Sequence, residues 1–205
     1  MTMDQWLIWA REIYSLAQAG LTYSTNEYDL DRYRRFQGIS AEIIASHSDM
    51  EKAEVLESFS MQSGYATPKI DVRAAVIRDG KILLVQESAD GRWSMPGGWA
   101  DLGDSPSAMV MREVWEESGF KVRVKQVVAV YDANRIQPME FYHSYKLVFL
   151  CEIIGGEARI SYETLLVDFF EPSNLPELSL LRTNKRMIEE AYAQFNNGRR
   201  KTAFD

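Results

Sequence analysis

Pro96-Gly97-Gly98-Trp99-Ala100-Asp101-Leu102-Gly103-Asp104-Ser105-Pro106, then Ser107 to Met111, then Arg112-Glu113-Val114-Trp115-Glu116-Glu117-Ser118-Gly119-Phe120: this stretch decides the fold. Ser105 has the side chain to cap a helix, Pro106 suits its first residue, and Gly119 suits the left-handed position just past its end. The spacing therefore predicts a helix of about 13 residues with a stop on each side. At about 100° per residue, Glu113, Glu116 and Glu117 fall within an arc of ~100°. Ala108, Met111, Val114, Trp115 and Ser118 cover the other side, so the expectation is an apolar face docked on a sheet and three carboxylates projecting together from the opposite face.

Three acids so close repel one another unless a cation sits among them. Hard divalent ions such as Mg²⁺ take oxygen ligands and bridge phosphate oxygens, which gives the cluster a use. The Gly97-Gly98 turn lets backbone approach the same place, and the Gly98 carbonyl can join the ligand set. A Glu-rich helix is by itself only a solvated face. Here the upstream glycines, the Arg-Glu pair, the Glu-Glu pair and the terminal glycine stand at set offsets, and that combination argues for chemistry.

Strand patterns flank the segment. Ile70 to Ile77 leads into Asp79-Gly80, a two-residue hairpin signal, and then Lys81 to Gln86. Val122 to Val130, Tyr145 to Ile154 and Val167 to Phe170 follow, then a helical pattern over Asn184 to Phe195 and a tail over residues 196–205 expected to fray. The first third reads as helices: Trp6, Trp9, Ala10, Ile13, Leu16 and Ala17 share one face, with Gly20 as a stop. Ser24 with Glu27 forms a capping-box pattern before Tyr33, Phe36, Ile39 and Ile43, and Ser48 with Glu51 repeats it before a short helix ending near Ser58 or Phe59. Residues 59–69, with Ser63, Gly64, Thr67 and Pro68, mark a connector. The expected division is a helical domain over 1–60, a linker over 61–69 and an α+β domain over 70–205.

Composition sets outer limits. With 46% hydrophobic and 26% charged residues, the 205-residue chain has the balance of a globular protein. Its longest apolar runs, such as Leu147 to Cys151, are strand-length, so no membrane span is expected. Nor does the N-terminal sequence carry a secretory signal. The single cysteine, Cys151, in an apolar run, reads as a buried inert thiol, and together these features point to the cytoplasm. A net charge of −7 argues against nucleic acid as a partner, while leaving room for phosphates handled through bound cations.

The central segment resembles the Nudix box. Gly98, Arg112, Glu113, Val114, Glu116, Glu117 and Gly119 fall in register with that motif, and Phe120 fills its last apolar position. Asp104 stands where the family has Glu, which keeps the charge and shortens the reach by one methylene. The strand order extends the resemblance over roughly residues 70–195. It implies an α/β/α sandwich with a mixed sheet, here preceded by a small all-helical domain. It also implies that Glu113 and Glu117 are the strongest metal ligands, with Glu116 a further ligand or a carboxylate behind them. The metal would be Mg²⁺, or Mn²⁺ in its place. Arg112 matches the position that orients the box acids through charge-assisted hydrogen bonds. The implied reaction is attack of a metal-activated water on one phosphorus of a pyrophosphate.

Several residues outside the box are candidates with bland alternatives. Glu163, in Ser161-Tyr162-Glu163-Thr164, stands six residues before Phe169. Family members place an acid at that spacing, where it binds metal or acts as general base; the alternative is an ordinary exposed loop acid. Arg73 can contact a phosphate or make a structural ion pair. Trp99, with Arg92 and Trp93 nearby, can stack on a base or serve as core. Tyr131 and His143, with Asp132 and Asn134, can line a substrate pocket, or His143 can be a surface histidine.

The helical preface and Gly64-Tyr65-Ala66-Thr67-Pro68-Lys69-Ile70-Asp71-Val72-Arg73 look like a bacterial subgroup of ADP-ribose or CDP-choline pyrophosphatases. A proline downstream of the box that marks one group of ADP-ribose enzymes is missing, since Arg135 stands at its position and Pro138 is the first proline. The leading expectation is hydrolysis of a nucleoside diphosphate linked to a small molecule, with ADP-ribose ahead of CDP-choline. RNA ends or oxidised nucleoside triphosphates are a second enzyme reading, resting on the basic tail Arg199-Arg200-Lys201. A nucleotide-sensing regulator is the non-enzyme alternative, and the retained acids argue against it. The apolar set Trp6, Trp9, Ile13, Tyr33, Phe36 and Ile43 leaves two options: a homodimer built by the N-terminal helices, or packing on the chain's own second domain.

Overall fold

Two units make up the chain, Met1–Thr67 and Pro68–Asp205. The computed structural model describes residues 4–62, 64–136, 142–198 and 200–205; Ser63, Pro138 and Arg199, all used in reading the sequence, lie outside the described residues.

The first unit holds α1 (Gln5–Tyr23), α2 (Glu27–Ser46) and α3 (Lys52–Ser60). Gly20 does not stop α1, contrary to expectation. A Cβ at this position would lie 2.4 Å from the Tyr33 ring, so the glycine serves as the contact point at which α1 and α2 touch. Ser40 Oγ donates to the Ala10 carbonyl at 2.7 Å inside the same contact, and Tyr14 stacks on Phe59 at 4.0 Å to bring in α3. The expected caps also shift. The Ser24 N–H donates to the Gly20 carbonyl and closes α1, which leaves Asn26 to cap α2 by accepting from the Tyr28 N–H. Ser48 Oγ is drawn back to the Ile44 carbonyl, and the capping box of α3 is formed by Glu51 and Glu54.

The buried face of α1 is rotated from the one expected. Leu7, Ala10, Ala17 and Gln18 are inside, whereas Trp9 and Leu16 are 57% and 66% exposed. Small residues, not the large ones, let two helices approach closely.

In the second unit, β1 (Lys69–Arg78) turns through Asp79 and Gly80, both at positive φ, into β2 (Lys81–Glu87). Then come β3 (Trp93–Ser94), α4 (Pro106–Ser118), β4 (Phe120–Asp132), α5 (Ala133–Ile136), β5 (Ser144–Gly156), β6 (Thr164–Phe170), α6 (Lys185–Asn196) and β7 (Ala203–Phe204). The sheet is mixed, in the order β3-β2-β1-β5-β4-β7, with β6 pairing β2. β1 runs parallel to β5, and β4 is antiparallel to β5.

Alternation along the strands feeds two cores. Val72, Ala74, Val76 and Phe149 pack with Met109, Val110 and Val114 of α4 on one face. Ala75, Leu84, Val148 and Leu150 pack with Met187, Ile188 and Ala191 of α6 on the other. Helices thus cover both faces, the Nudix sandwich expected. The tail does not fray: β7 pairs with β4, Thr202 Oγ1 donates to the Val127 carbonyl at 3.0 Å, and Asp205 accepts from the Asp132 N–H. The short β3, β7 and α5 carried too few residues to give a periodic signal. Cys151 is buried, and burial pushes its thiol up to about 12, which leaves it unreactive.

Candidate active site

Residues 96–100 lie along the edge of β1. The Val72 N–H donates to the Gly98 carbonyl at 2.9 Å, Ala74 to Pro96 at 2.8 Å, and Ala100 to Ile70 at 2.8 Å. Gly97 sits at φ 148°, and a Cβ there would fall 1.9 Å from the Val72 carbonyl oxygen, so a glycine is required for the chain to lie flat on the strand. Turned away from β1, the Gly97 N–H donates to Glu117 Oε2 at 2.9 Å.

α4 carries the other half of the site. Ser105 Oγ accepts from the Ala108 N–H at 3.2 Å, Pro106 begins the helix, and Gly119 at φ 76° ends it, as the sequence predicts. Its orientation corrects the expectation. Met109, Val110 and Val114 are buried, and so are Glu113 and Glu117, which are only 9% and 4% exposed, while Ala108 and Trp115 face solvent. Two of the three carboxylates therefore lie on the docked side of the helix, pressed towards residues 97–98. A Cβ on Gly98 would stand 3.1 Å from Glu113 Oε2.

Burial dominates their electrostatics. It pushes Glu117 up to about 8, against the opposing pull of Arg73 and the Gly97 N–H, with Glu87 and Glu113 adding repulsion. Glu113 is raised as well, by burial first; Arg112 opposes the shift, and Glu116 and Glu163 reinforce it. Arg112 is the organising cation: Nη1 lies 3.2 Å from Glu113 Oε1 and 3.1 Å from Glu116 Oε2, and Nη2 lies 2.7 Å from Asp101 Oδ2 and 3.3 Å from Asp104 Oδ2. Asp104 thus meets the site through Arg112, in keeping with its shorter side chain.

The loop between β5 and β6 closes the far side. The Thr164 hydroxyl donates to the Glu117 carbonyl at 2.9 Å, and the Arg159 N–H donates to the Ser118 carbonyl at 2.9 Å, so the loop is latched to the end of α4. Between helix and loop lies a cleft of 680 Å³, lined by Arg112, Glu116 and Glu117 on one side and by Arg159, Tyr162 and Glu163 on the other. Glu163 is therefore brought to the box acids.

The remaining candidates divide. Arg73 is buried and its guanidinium is engaged in a structural ion pair, with Nε and Nη2 on Asp71 at 2.8 and 2.9 Å and Nη1 on the Met95 carbonyl. Tyr131 is 1% exposed in the α6-side core, with Arg186 over its ring. His143 is half-buried and pairs with Asp132 Oδ1 at 3.1 Å. Trp99 is half-exposed beside Gly98, with Lys69 Nζ 5.8 Å from its ring centre and 3.9 Å from that of Tyr142. The Gly98 carbonyl accepts from the Val72 N–H of β1. Sequence reasoning missed Lys146, which is fully buried with Nζ 3.0 Å from Asp71 Oδ2. A lysine amid the apolar alternation of β5 was the available signal.

Among the described residues no three of His, Cys, Asp or Glu are grouped to hold a metal ion as they stand. The donor chemistry nevertheless fits a hard cation. Glu113 and Glu117 are buried oxygen donors whose charge the surrounding protein leaves under-compensated. No helix of the described residues is long and apolar enough to cross a membrane.

Residues 68–190 match the NUDIX domain, and residues 4–59 match the UDP-X-like N-terminal oligomerisation domain. The chain belongs to the Nudix family and is a Nudix pyrophosphohydrolase. Within the family it has the helical N-terminal extension. It is 36% identical over 202 residues to YjhB of Bacillus subtilis (strain 168), provisionally assigned as an ADP-ribose pyrophosphatase, covering 98% of this chain and 97% of that protein. A crystal structure of a UDP-X diphosphatase superposes with TM-score 0.65 at 33% identity over 100% of both chains. An ADP-ribose pyrophosphatase from Streptococcus suis 89-1591 superposes with TM-score 0.64 at 38% identity, over 68% of this chain and 100% of that one.

Proposed function

We propose that the protein hydrolyses the pyrophosphate bond of a nucleoside diphosphate linked to a second group, with Mg²⁺ as its metal and ADP-ribose as its substrate. The observation that carries this reading is the pair of buried carboxylates Glu113 and Glu117 beside the open cleft. Such a pair is costly to keep unless a cation or its own protons neutralise it. Glu113 and Glu117 would hold the metal, with Glu116 and Glu163 at its edge. Bound there, Mg²⁺ would lower the pKa of a water and neutralise charge on the leaving phosphate. Arg112 fixes Glu113 and Glu116 by ion pairs, the Gly97 N–H fixes Glu117, and Glu163 stands across the cleft where a general base can accept a proton from an attacking water. Mn²⁺ is the substitute metal, having the same preference for oxygen ligands.

A UDP-linked substrate is the second reading, favoured by the full-length likeness to the UDP-X diphosphatase; CDP-choline, the other substrate the helical preface suggests, has no comparable support. The test is to incubate the protein with Mg²⁺ and a panel of ADP-ribose, UDP-sugars, CDP-choline, NADH, diadenosine polyphosphates and dNTPs, and to identify the products. ADP-ribose should give AMP and ribose 5-phosphate. Uridine monophosphate from a UDP-sugar at higher kcat/KM would move the assignment to the second reading. No turnover of any member with Mg²⁺ or Mn²⁺ would remove both. The N-terminal helices are proposed to pair two copies of the chain.

A further inference from the structure

A polyanionic substrate beside a cluster of acids needs a cation of the protein to meet its phosphates. Arg112 lines the cleft, but its guanidinium is shared among Asp101, Asp104, Glu113 and Glu116. Arg73 is buried on Asp71. Arg159 differs from both. Its guanidinium carbon lies 5.0 Å from the centre of the Trp115 ring, and among the described residues no carboxylate pairs with it. It lines the same cleft as Glu116, Glu117 and Glu163.

The position of Arg159 is built, not incidental. Its N–H is tied to the Ser118 carbonyl, and the missing side chain of Gly119 gives its backbone room: a Cβ there would lie 2.4 Å from the Glu157 carbonyl oxygen and 2.8 Å from Arg159 Cβ. The glycine that ends the box helix therefore also seats the loop that carries Arg159. A guanidinium placed over an indole is partly pre-positioned and still has N–H groups to offer an anion.

We propose that Arg159, resting on Trp115, is a substrate-binding residue that contacts the diphosphate oxygens from the loop side, opposite the carboxylates of α4. The proposal rests on the pyrophosphohydrolase reading of this cleft. It makes Arg159 a contributor to affinity, with the bond-breaking left to the acids and their cation.

Steady-state kinetics with ADP-ribose and Mg²⁺, together with calorimetric binding of AMP and adenosine, test it. Removing one charge-assisted contact should raise KM by about 10- to 100-fold in Arg159→Ala, with kcat within about threefold of wild type and Arg159→Lys between the two. AMP should bind Arg159→Ala more weakly than wild type by a similar factor, while adenosine, which lacks phosphate, binds both alike. Lys121→Ala removes the second cation over Trp115, at 5.1 Å from its centre, and should leave KM unchanged. An unchanged KM and unchanged AMP binding in Arg159→Ala would overturn the proposal, as would equal weakening of AMP and adenosine. An inactive wild-type protein would instead count against the enzyme reading. The binding experiment, which needs no turnover, would still decide the role of Arg159, and absence of AMP binding to the wild type would overturn it.

Discussion

The backbone N–H of Gly97 donates to Glu117 Oε2 at 2.9 Å, so the glycine turn and the box helix are joined through the most buried of the three box acids. That bond predicts how Glu117→Gln will behave. Glutamine keeps an oxygen to accept from Gly97 and removes a charge that burial disfavours. Turnover should fall by at least about 100-fold, while the melting temperature equals or exceeds that of the wild type. Differential scanning calorimetry and a Mg²⁺-dependent assay on the same preparation check both halves. Near wild-type turnover in the folded variant would remove Glu117 from the proposed ligand set.

Asp104 should be a lesser contributor. It reaches the site through Arg112, which keeps three other carboxylate partners when Asp104 is lost. Asp104→Glu should be tolerated, and Asp104→Ala should cost roughly tenfold in kcat against the larger loss in Glu117→Ala. Parallel kinetics of the three variants settle this. Equal losses for both alanine variants would promote Asp104 to a primary ligand.

How far the sequence carried depended on whether a feature was local. Ser105, Pro106 and Gly119 delimit α4 through their own backbone chemistry, and the Asp79-Gly80 turn through its positive φ, so each was legible from a few adjacent residues. The facing of α4 was not. Its apolar residues suggested that the acids point away from the sheet, yet Glu113 and Glu117 face residues 97–98, a segment distant along the chain that supplies an N–H where a wheel drawn from one helix shows none. Arg73 was ambiguous for the same reason. Its fate is set by Asp71 beside it and by the Met95 carbonyl, reached only when residues 96–100 lie along β1. Gly20 read as a stop because its partner Tyr33 belongs to the next helix.

Asp71 should couple stability to acid pH. Burial alone would raise its carboxyl, but Arg73 and Lys146 together outweigh burial and hold it below the usual carboxylate range. A folded-state pKa lower than the unfolded one means that the stabilisation is present above the unfolded value, about 3.9, and is lost as pH falls through the folded value. Asp71→Asn leaves two buried cations without their shared anion, so at neutral pH it should cost on the order of 3 kcal/mol. The gap from wild type should narrow below about pH 4, where the carboxyl of the unfolded chain begins to take up its proton, and should close as pH falls through the lower folded-state value. Urea denaturation of both proteins between neutral and acid pH checks this. A gap that stays constant across the range would show that Asp71 contributes by shape and not by charge.

The last prediction concerns α1, which is apolar on two sides. Leu7, Ala10 and Ala17 occupy the side facing its neighbours in the helical unit, whereas Trp9, Leu16 and Tyr23 remain 57%, 66% and 71% exposed. These three recur at seven-residue spacing, which keeps them in one row along a helix, as at the seam of two paired helices. On α2, Phe36 and Ile39 add 48% and 40% exposed apolar side chains. Exposed apolar rows of this kind mark interfaces, and identical subunits most often pair about a two-fold axis. The protein should therefore elute and scatter as a dimer of twice its 23.6 kDa chain mass at micromolar concentration. Leu16→Glu places a charge in the middle of the row while leaving the buried side of α1 intact. It should shift the equilibrium towards monomer without lowering the melting temperature of the catalytic unit. A wild-type monomer would sink the dimer outright. A Leu16→Glu protein that stays fully dimeric would place the interface away from α1.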